Sequence, residues 1–142
     1  MTITTQLSRI ASGRSVPTVL VVDDNAMLRL ALAHELDMAG FSSVEAGSAD
    51  EAETILQAMP VDLIVTDVEM PGSHDGLALA AFVRTHFPRI PVIVVSGKAP
   101  RASAEHVADA FFPKPYDISR LIHRAMDLLR GQGRGNGGTA SA

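Results

Sequence analysis

The sequence predicts a three-layer α/β fold, a doubly wound five-stranded parallel sheet with five helices on its two faces. Three observations carry this prediction. Short apolar runs rich in β-branched residues alternate strictly with segments of helical period. Three of those runs are nearly all apolar, as strands buried on both faces are. Capping residues stand at the starts of the periodic segments: Asn25, Ser48 and Asp117.

The first run, Thr18 to Asp23 (TVLVVD), is a central strand. Leu28, Ala31, Leu32, Leu36 and Ala39 then recur at three and four residues, with Gly40 just past the end, and form the first helix. Ser42 to Ala46 (SSVEA) is a second strand. Ser48 with Glu51 reads as a capping box ahead of Ala52, Ile55, Leu56 and Met59, the second helix. Val61 to Thr66 (VDLIVT) and Pro91 to Ser96 (PVIVVS) are the other two central strands, separated by a third helix from Gly76 to Phe87. The segment Pro100 to Asp109 is small and polar, so the fourth helix is expected to be short. Ala110 to Phe112 is the last strand, and Asp117 opens a helix striped by Ile118, Leu121, Ile122, Ala125 and Leu129. Right-handed crossovers between parallel strands then place any site at the carboxyl ends of the central strands.

With 142 residues, 46% hydrophobic and 20% charged, the chain suits one globular domain. That domain is expected over 17–130. Residues 1–16, with six Ser or Thr, read as a flexible N-terminal tail, and residues 131–142, with five of the eleven glycines, as a Gly-rich flexible C-terminal tail. The basic residues of these tails, Arg9, Arg14 and Arg134, read as solubilising. The absence of cysteine excludes a disulfide framework, a thiolate metal site and a cysteine nucleophile. A formal charge of −4 provides no global drive toward nucleic acid. No apolar run approaches the roughly 20 residues of a membrane span, and no signal peptide opens the chain, so a cytoplasmic protein is expected. Five histidines, His34, His74, His86, His106 and His123, show no metal-ligand spacing and read as solvated helix residues.

Polar residues at the strand ends are the functional signal. The first strand ends in Asp23 and Asp24, the third in Asp67 and the fourth in Ser96, while Lys114 follows the fifth between Pro113 and Pro115. Each alone is compatible with a turn or a helix cap; together they converge on one edge. Three carboxylates there would repel and raise one another's pKa unless they share a cation, and Mg²⁺ is the hard oxygen-seeking ion that fits.

In these residues the chain resembles the receiver domain of bacterial two-component response regulators. VLVVDDN at 19–25, DLIVTDVEMPG at 62–72, DGLALA at 75–80, PVIVVSG at 91–97 and FFPKP at 111–115 match that family's motifs in order and spacing, over essentially all of 17–130. The resemblance implies a flavodoxin-like strand order 2-1-3-4-5. It further implies that Asp67 is the phosphoacceptor for a phosphohistidine on a sensor histidine kinase or phosphotransfer protein. Asp24 and Asp67 would bind Mg²⁺ directly, Asp23 mainly through water, and Glu69 through its backbone carbonyl. Lys114 would pair with the phosphoryl oxygens, after a cis bond to Pro115. Ser96 corresponds to the switch hydroxyl and Phe111 to the aromatic switch, here without the Tyr hydroxyl many members carry; a plain core aromatic is the alternative for Phe111.

Three features depart from the common pattern. The loop EMPGSHDG is one residue longer, which moves His74 toward the rim. Glu69 and Lys98 stand at the two variable positions flanking the phosphoryl group, where a pair of opposite sign can close over it or compete with it. The stretch from Ser96 to Lys114 is about one helical turn short, which trims the face many members use to dimerise and leaves a homodimer open.

With twelve Gly-rich residues after it, the domain is expected to be a stand-alone response regulator, a phosphorelay shuttle or phosphate sink. Its own chemistry would be limited to Mg²⁺-dependent phosphoryl transfer and autodephosphorylation, so it is not expected to be an enzyme otherwise. The alternative is a protein-binding module switched by phosphorylation. A phosphohydrolase on a similar sheet would need a second carboxylate two residues after a first-strand nucleophile, where Asp23-Asp24-Asn25 stands instead. A dinucleotide site lacks its Gly-rich loop.

Overall fold

A computed structural model describes residues 16–72, 75–98 and 107–138 of the chain. Five strands, β1 (Thr18–Val22), β2 (Ser42–Ala46), β3 (Leu63–Asp67), β4 (Val92–Ser96) and β5 (Ala110–Pro113), form one sheet in the order β2-β1-β3-β4-β5. Every neighbouring pair is parallel. Four helices are seen among the described residues: α1 (Ala26–Met38), α2 (Ala49–Ala58), α3 (Gly76–His86) and α4 (Ile118–Gly138). The expected short helix between β4 and β5 falls largely on 99–106, outside the described residues.

Side chains alternate across each central strand, so consecutive residues enter different layers. Leu20, Val22, Ile64, Val92 and Val94 pack with Ala52 and Leu56 of α2 and with Leu79 and Val83 of α3. Val19, Val21, Leu63, Val65, Ile93 and Val95 pack on the other face with Leu32 and Leu36 of α1 and with Leu121, Ile122 and Ala125 of α4. β1, β3 and β4 are thus covered twice, which is why their sequences hold almost no polar residues.

The helix starts follow local hydrogen bonding. Asn25 Oδ1 accepts from the Met27 and Leu28 amides, and Asp75 Oδ1 from that of Ala78. Asp117 Oδ1 accepts from the Ser119 amide. At α2, Ser48 Oγ accepts from the Glu51 amide as a capping box requires, but the Glu51 carboxylate reaches Gly47 N, at 2.7 Å. Gly40, at φ 106°, ends α1 as a left-handed residue should.

The last helix extends past 130 into the glycine-rich stretch. A glycine in a helix costs about 1 kcal/mol relative to alanine, so α4 is held by its apolar stripe from Ile118 to Leu129, which packs on the sheet. Arg84 ties the chain entering β5 to α3 by donating to Val107 O and Asp109 Oδ2, both at 3.1 Å. His34, His86 and His123 are exposed, as expected; His74 and His106 lie outside the described residues. Among the described residues, no helix is long and apolar enough to cross a membrane.

Candidate functional site

Because all five strands run the same way, their carboxyl ends share one edge, and the ladder sets the position of each polar side chain there. Asp67 ends β3 opposite Val95, and Ser96 ends β4 opposite Pro113. The Lys114 amide donates to Ser96 O at 2.8 Å, and that of Asp23 to Ala46 O at 3.1 Å, so both residues are fixed one step beyond their strands.

Asp23, Asp24 and Asp67 converge, with one carboxylate oxygen of each within 4.8 Å of the others. Asp23 and Asp67 are buried, and Asp24 is exposed at the mouth. Lys114 Nζ stands 3.2 Å from Asp67 Oδ1 and 3.6 Å from Asp23 Oδ2. Its ammonium is therefore shared between two acids, and a third lies alongside. The Lys114–Pro115 bond is cis, as the resemblance implied.

Electrostatics at Asp67 follow from this crowding. Burial raises its carboxyl above the ordinary 3.8, Lys114 opposes that, and the charges of Asp23 and Glu69 raise it further. Asp67 Oδ1 is buried, and among the described residues its close polar neighbour is the Lys114 ammonium at 3.2 Å. A buried anionic oxygen facing two further carboxylates, with a single ammonium to offset three acids, is the donor set a hard divalent cation takes. The residues present fit Mg²⁺. Asp23 also shapes the turn into α1, since its Oδ1 accepts from the Asn25 amide at 2.9 Å.

Ser96 is fully buried and saturated with contacts. Its hydroxyl lies 2.5 Å from Glu69 Oε2 and 3.0 Å from Lys98 O, and its oxygen accepts from Lys98 N at 3.0 Å. The other Glu69 oxygen accepts from Gly97 N at 3.3 Å. Phe111, expected as the aromatic switch, is half-buried in β5 and packs on the layer that contains α2 and α3.

Glu69 was expected to hold Mg²⁺ through its backbone carbonyl and to flank the phosphoryl group with its side chain; its carboxylate reaches the end of β4. Two further participants were not singled out in the sequence. Gly76, the first residue of α3, donates its amide to Val68 O at 2.9 Å and lies directly against the backbone of Asp67. Tyr116, two residues past Lys114, has a phenol raised above 10.0 by burial and then by Asp23 and Asp67, and packs edge-on against Phe112. Only Gly76 had a local signal, a glycine at a helix start directly after a capping Asp.

Comparison with known proteins agrees with this geometry. The family model described as the response regulator receiver domain matches residues 19–126. The transcriptional regulatory protein AruR of Pseudomonas aeruginosa is 33% identical over 124 residues, which cover 81% of this chain and 50% of AruR. The chain thus spans about half the length of that relative. A response regulator receiver protein of Pseudomonas putida has a crystal structure 33% identical, with a TM-score of 0.75, covering 80% of this chain and 98% of that one. The response regulator TrrA of Thermotoga maritima, crystallised in complex with Mg²⁺ and BeF, is 28% identical with a TM-score of 0.74, covering 80% of this chain and 99% of that one.

Proposed function

The chain belongs to the response regulator receiver domain family, the signalling domains of two-component systems, and on that premise we propose that it accepts a phosphoryl group on Asp67 from a phosphohistidine of a histidine kinase or phosphotransfer protein. The observation that carries this reading is the buried Asp67 carboxylate held 3.2 Å from the Lys114 ammonium, with two further carboxylates around it. An Asp67 oxygen forms the new O–P bond as the P–N bond breaks, and the imidazole nitrogen of the donor keeps the electron pair. Lys114 places positive charge against the equatorial oxygens of a loose transition state. Asp24, Asp67 and the Glu69 main-chain carbonyl would hold Mg²⁺ directly and Asp23 mainly through water; when bound, the ion supplies further positive charge for the transferred group. Ser96 supplies a hydroxyl at the neighbouring strand end, the feature that fits a switch, and Phe111 lies on the strand next to it.

The donor needs a place to dock, and α1 offers one. Met27, Leu28 and Leu30 are 80%, 45% and 55% exposed in the first turns after Asn25, beside the mouth formed by Asp24. Large apolar side chains so exposed on one helix mark a contact surface. Leu30→Asp is expected to slow transfer from a phosphorylated kinase by about tenfold or more, the scale of one interface hot spot. Labelling by acetyl phosphate and the melting temperature should be unchanged; equal kinase rates for the variant and the wild type remove α1 from the docking surface.

As a shuttle, the domain passes the group onward to a second phosphohistidine protein across the same mouth. Incubation with a radiolabelled phosphorylated kinase, followed by addition of a phosphotransfer protein, tests this. Label moving through the domain supports relay, and a stable complex with a third protein formed only after labelling supports the binding-module reading instead. A wild-type chain that takes no label from any kinase or from acetyl phosphate removes the proposal.

A further inference from the structure

Glu69 sits two residues past Asp67 in the loop after β3, yet its carboxylate is not turned out to water. One oxygen accepts from the Ser96 hydroxyl and the other from the Gly97 amide. These two donors lie at the end of β4, adjacent to Asp67 at the end of β3. They are hydrogen-bond donors at the strand end next to the one that carries Asp67, and a carboxylate presents the same kind of paired anionic oxygens as a phosphoryl group.

We propose that the Glu69 carboxylate is an internal occupant of the phosphoryl-oxygen seat formed by Ser96 Oγ and Gly97 N, and that an incoming phosphoryl group must displace it. The proposal rests on Asp67 being the acceptor. Two physical constraints make occupancy exclusive. The Ser96 hydroxyl has one hydrogen, already directed among Glu69 Oε2 and Lys98 O, while its oxygen is engaged by the Lys98 amide, so it cannot serve a phosphoryl oxygen without releasing Glu69. A phosphorylated Asp67 also carries about two negative charges, and a carboxylate held on the same donors repels it. Glu69 is a positioning residue: it holds the β4 end in one arrangement before transfer and sets how much of the phosphoryl binding energy goes into leaving that arrangement.

The test uses the full chain, saturating Mg²⁺ and beryllofluoride as a phosphoryl surrogate, with binding followed by titration and by the ¹⁵N–¹H resonance of Gly97. In the wild type, the Gly97 amide should shift on binding as it exchanges the carboxylate for the surrogate. Glu69→Ala, which keeps the main-chain carbonyl, should bind beryllofluoride roughly tenfold more tightly, the scale of one charge-assisted hydrogen bond no longer to be broken. Its free Gly97 resonance should already differ from that of the wild type. Glu69→Gln, with the same length and no charge, should fall between the two. Equal or weaker binding by Glu69→Ala, or a Gly97 resonance indifferent to the substitution, overturns the proposal. A wild type that binds no beryllofluoride and takes no label from acetyl phosphate fails the acceptor reading itself, and the seat with it; binding without a Glu69 effect fails the seat alone.

Discussion

Replacing Asp67 by Asn is expected to abolish phosphoryl acceptance while making the metal-free protein more stable. The amide has no anionic oxygen to attack phosphorus, so labelling from a phosphorylated kinase should fall by at least about a hundredfold, as when a nucleophile is removed. Stability moves the other way because Asp67 is buried beside Asp23, and burial outweighs its ion pair with Lys114. Its carboxyl is raised in the folded state, chiefly by burial, against 3.8 for the ordinary group. Between those two values the folded state binds a proton that the unfolded chain has released, so stability falls as pH rises through that window and the full penalty persists above it. The gain from Asp67→Asn should therefore be absent in strong acid and complete near neutral pH, at a few degrees in melting temperature for about 1 kcal/mol. Added Mg²⁺ should narrow the gap by stabilising the wild type preferentially. Thermal melts at several pH values, with and without Mg²⁺, measure all of this. A variant no more stable than the wild type in metal-free neutral buffer would show that Lys114 alone compensates the buried charge.

Gly76→Ala is expected to be strongly destabilising, although alanine is the better helix former. A Cβ on Gly76 would lie 1.9 Å from Asp67 O, 2.7 Å from its carbonyl carbon and 2.9 Å from Val68 Cα. These are main-chain atoms of the β3 end, which no side-chain rotation relieves. Overpacking on flexible side chains costs about 1 to 3 kcal/mol, and a clash with backbone should exceed that range. Helix propensity works in the opposite direction, by about 1 kcal/mol, so the sign of the result separates the two effects. A melting temperature lower by roughly 10 °C or more is expected, with slower labelling because the backbone that must move carries Asp67. Gly72 is the control: it has φ +110° but, among the described residues, nothing within 4 Å of an added Cβ, so its alanine variant should lose only about the 1–2 kcal/mol of a left-handed residue. A neutral Gly76→Ala would mean that α3 can start further from β3 than the structure places it.

Much of this architecture was legible in the chain. Alternating branched runs and helical periods specified a parallel sheet with helices, and the caps Asn25, Ser48 and Asp117 marked where three helices begin. Parallel strands joined by right-handed crossovers end on one edge, so Asp23, Asp24, Asp67, Ser96 and Lys114 could be brought together without any knowledge of distances. The short helix expected between Pro100 and Asp109 falls largely outside the described residues, and the glycines beyond 130 obscured where α4 ends.

What the sequence by itself determined about this protein is therefore the order and type of its elements and the edge on which the acids meet. The tertiary structure decided which way each side chain on that edge turns. The Glu69 carboxylate reaches Ser96 and Gly97, the Lys114 ammonium divides between Asp67 and Asp23, and Gly76 closes on the Asp67 carbonyl. The physical reason is range. Periodicity and capping act within a few residues along one element, whereas these contacts join loops from different strands, whose separation is set by the packing of the sheet and its helices and by no local pattern.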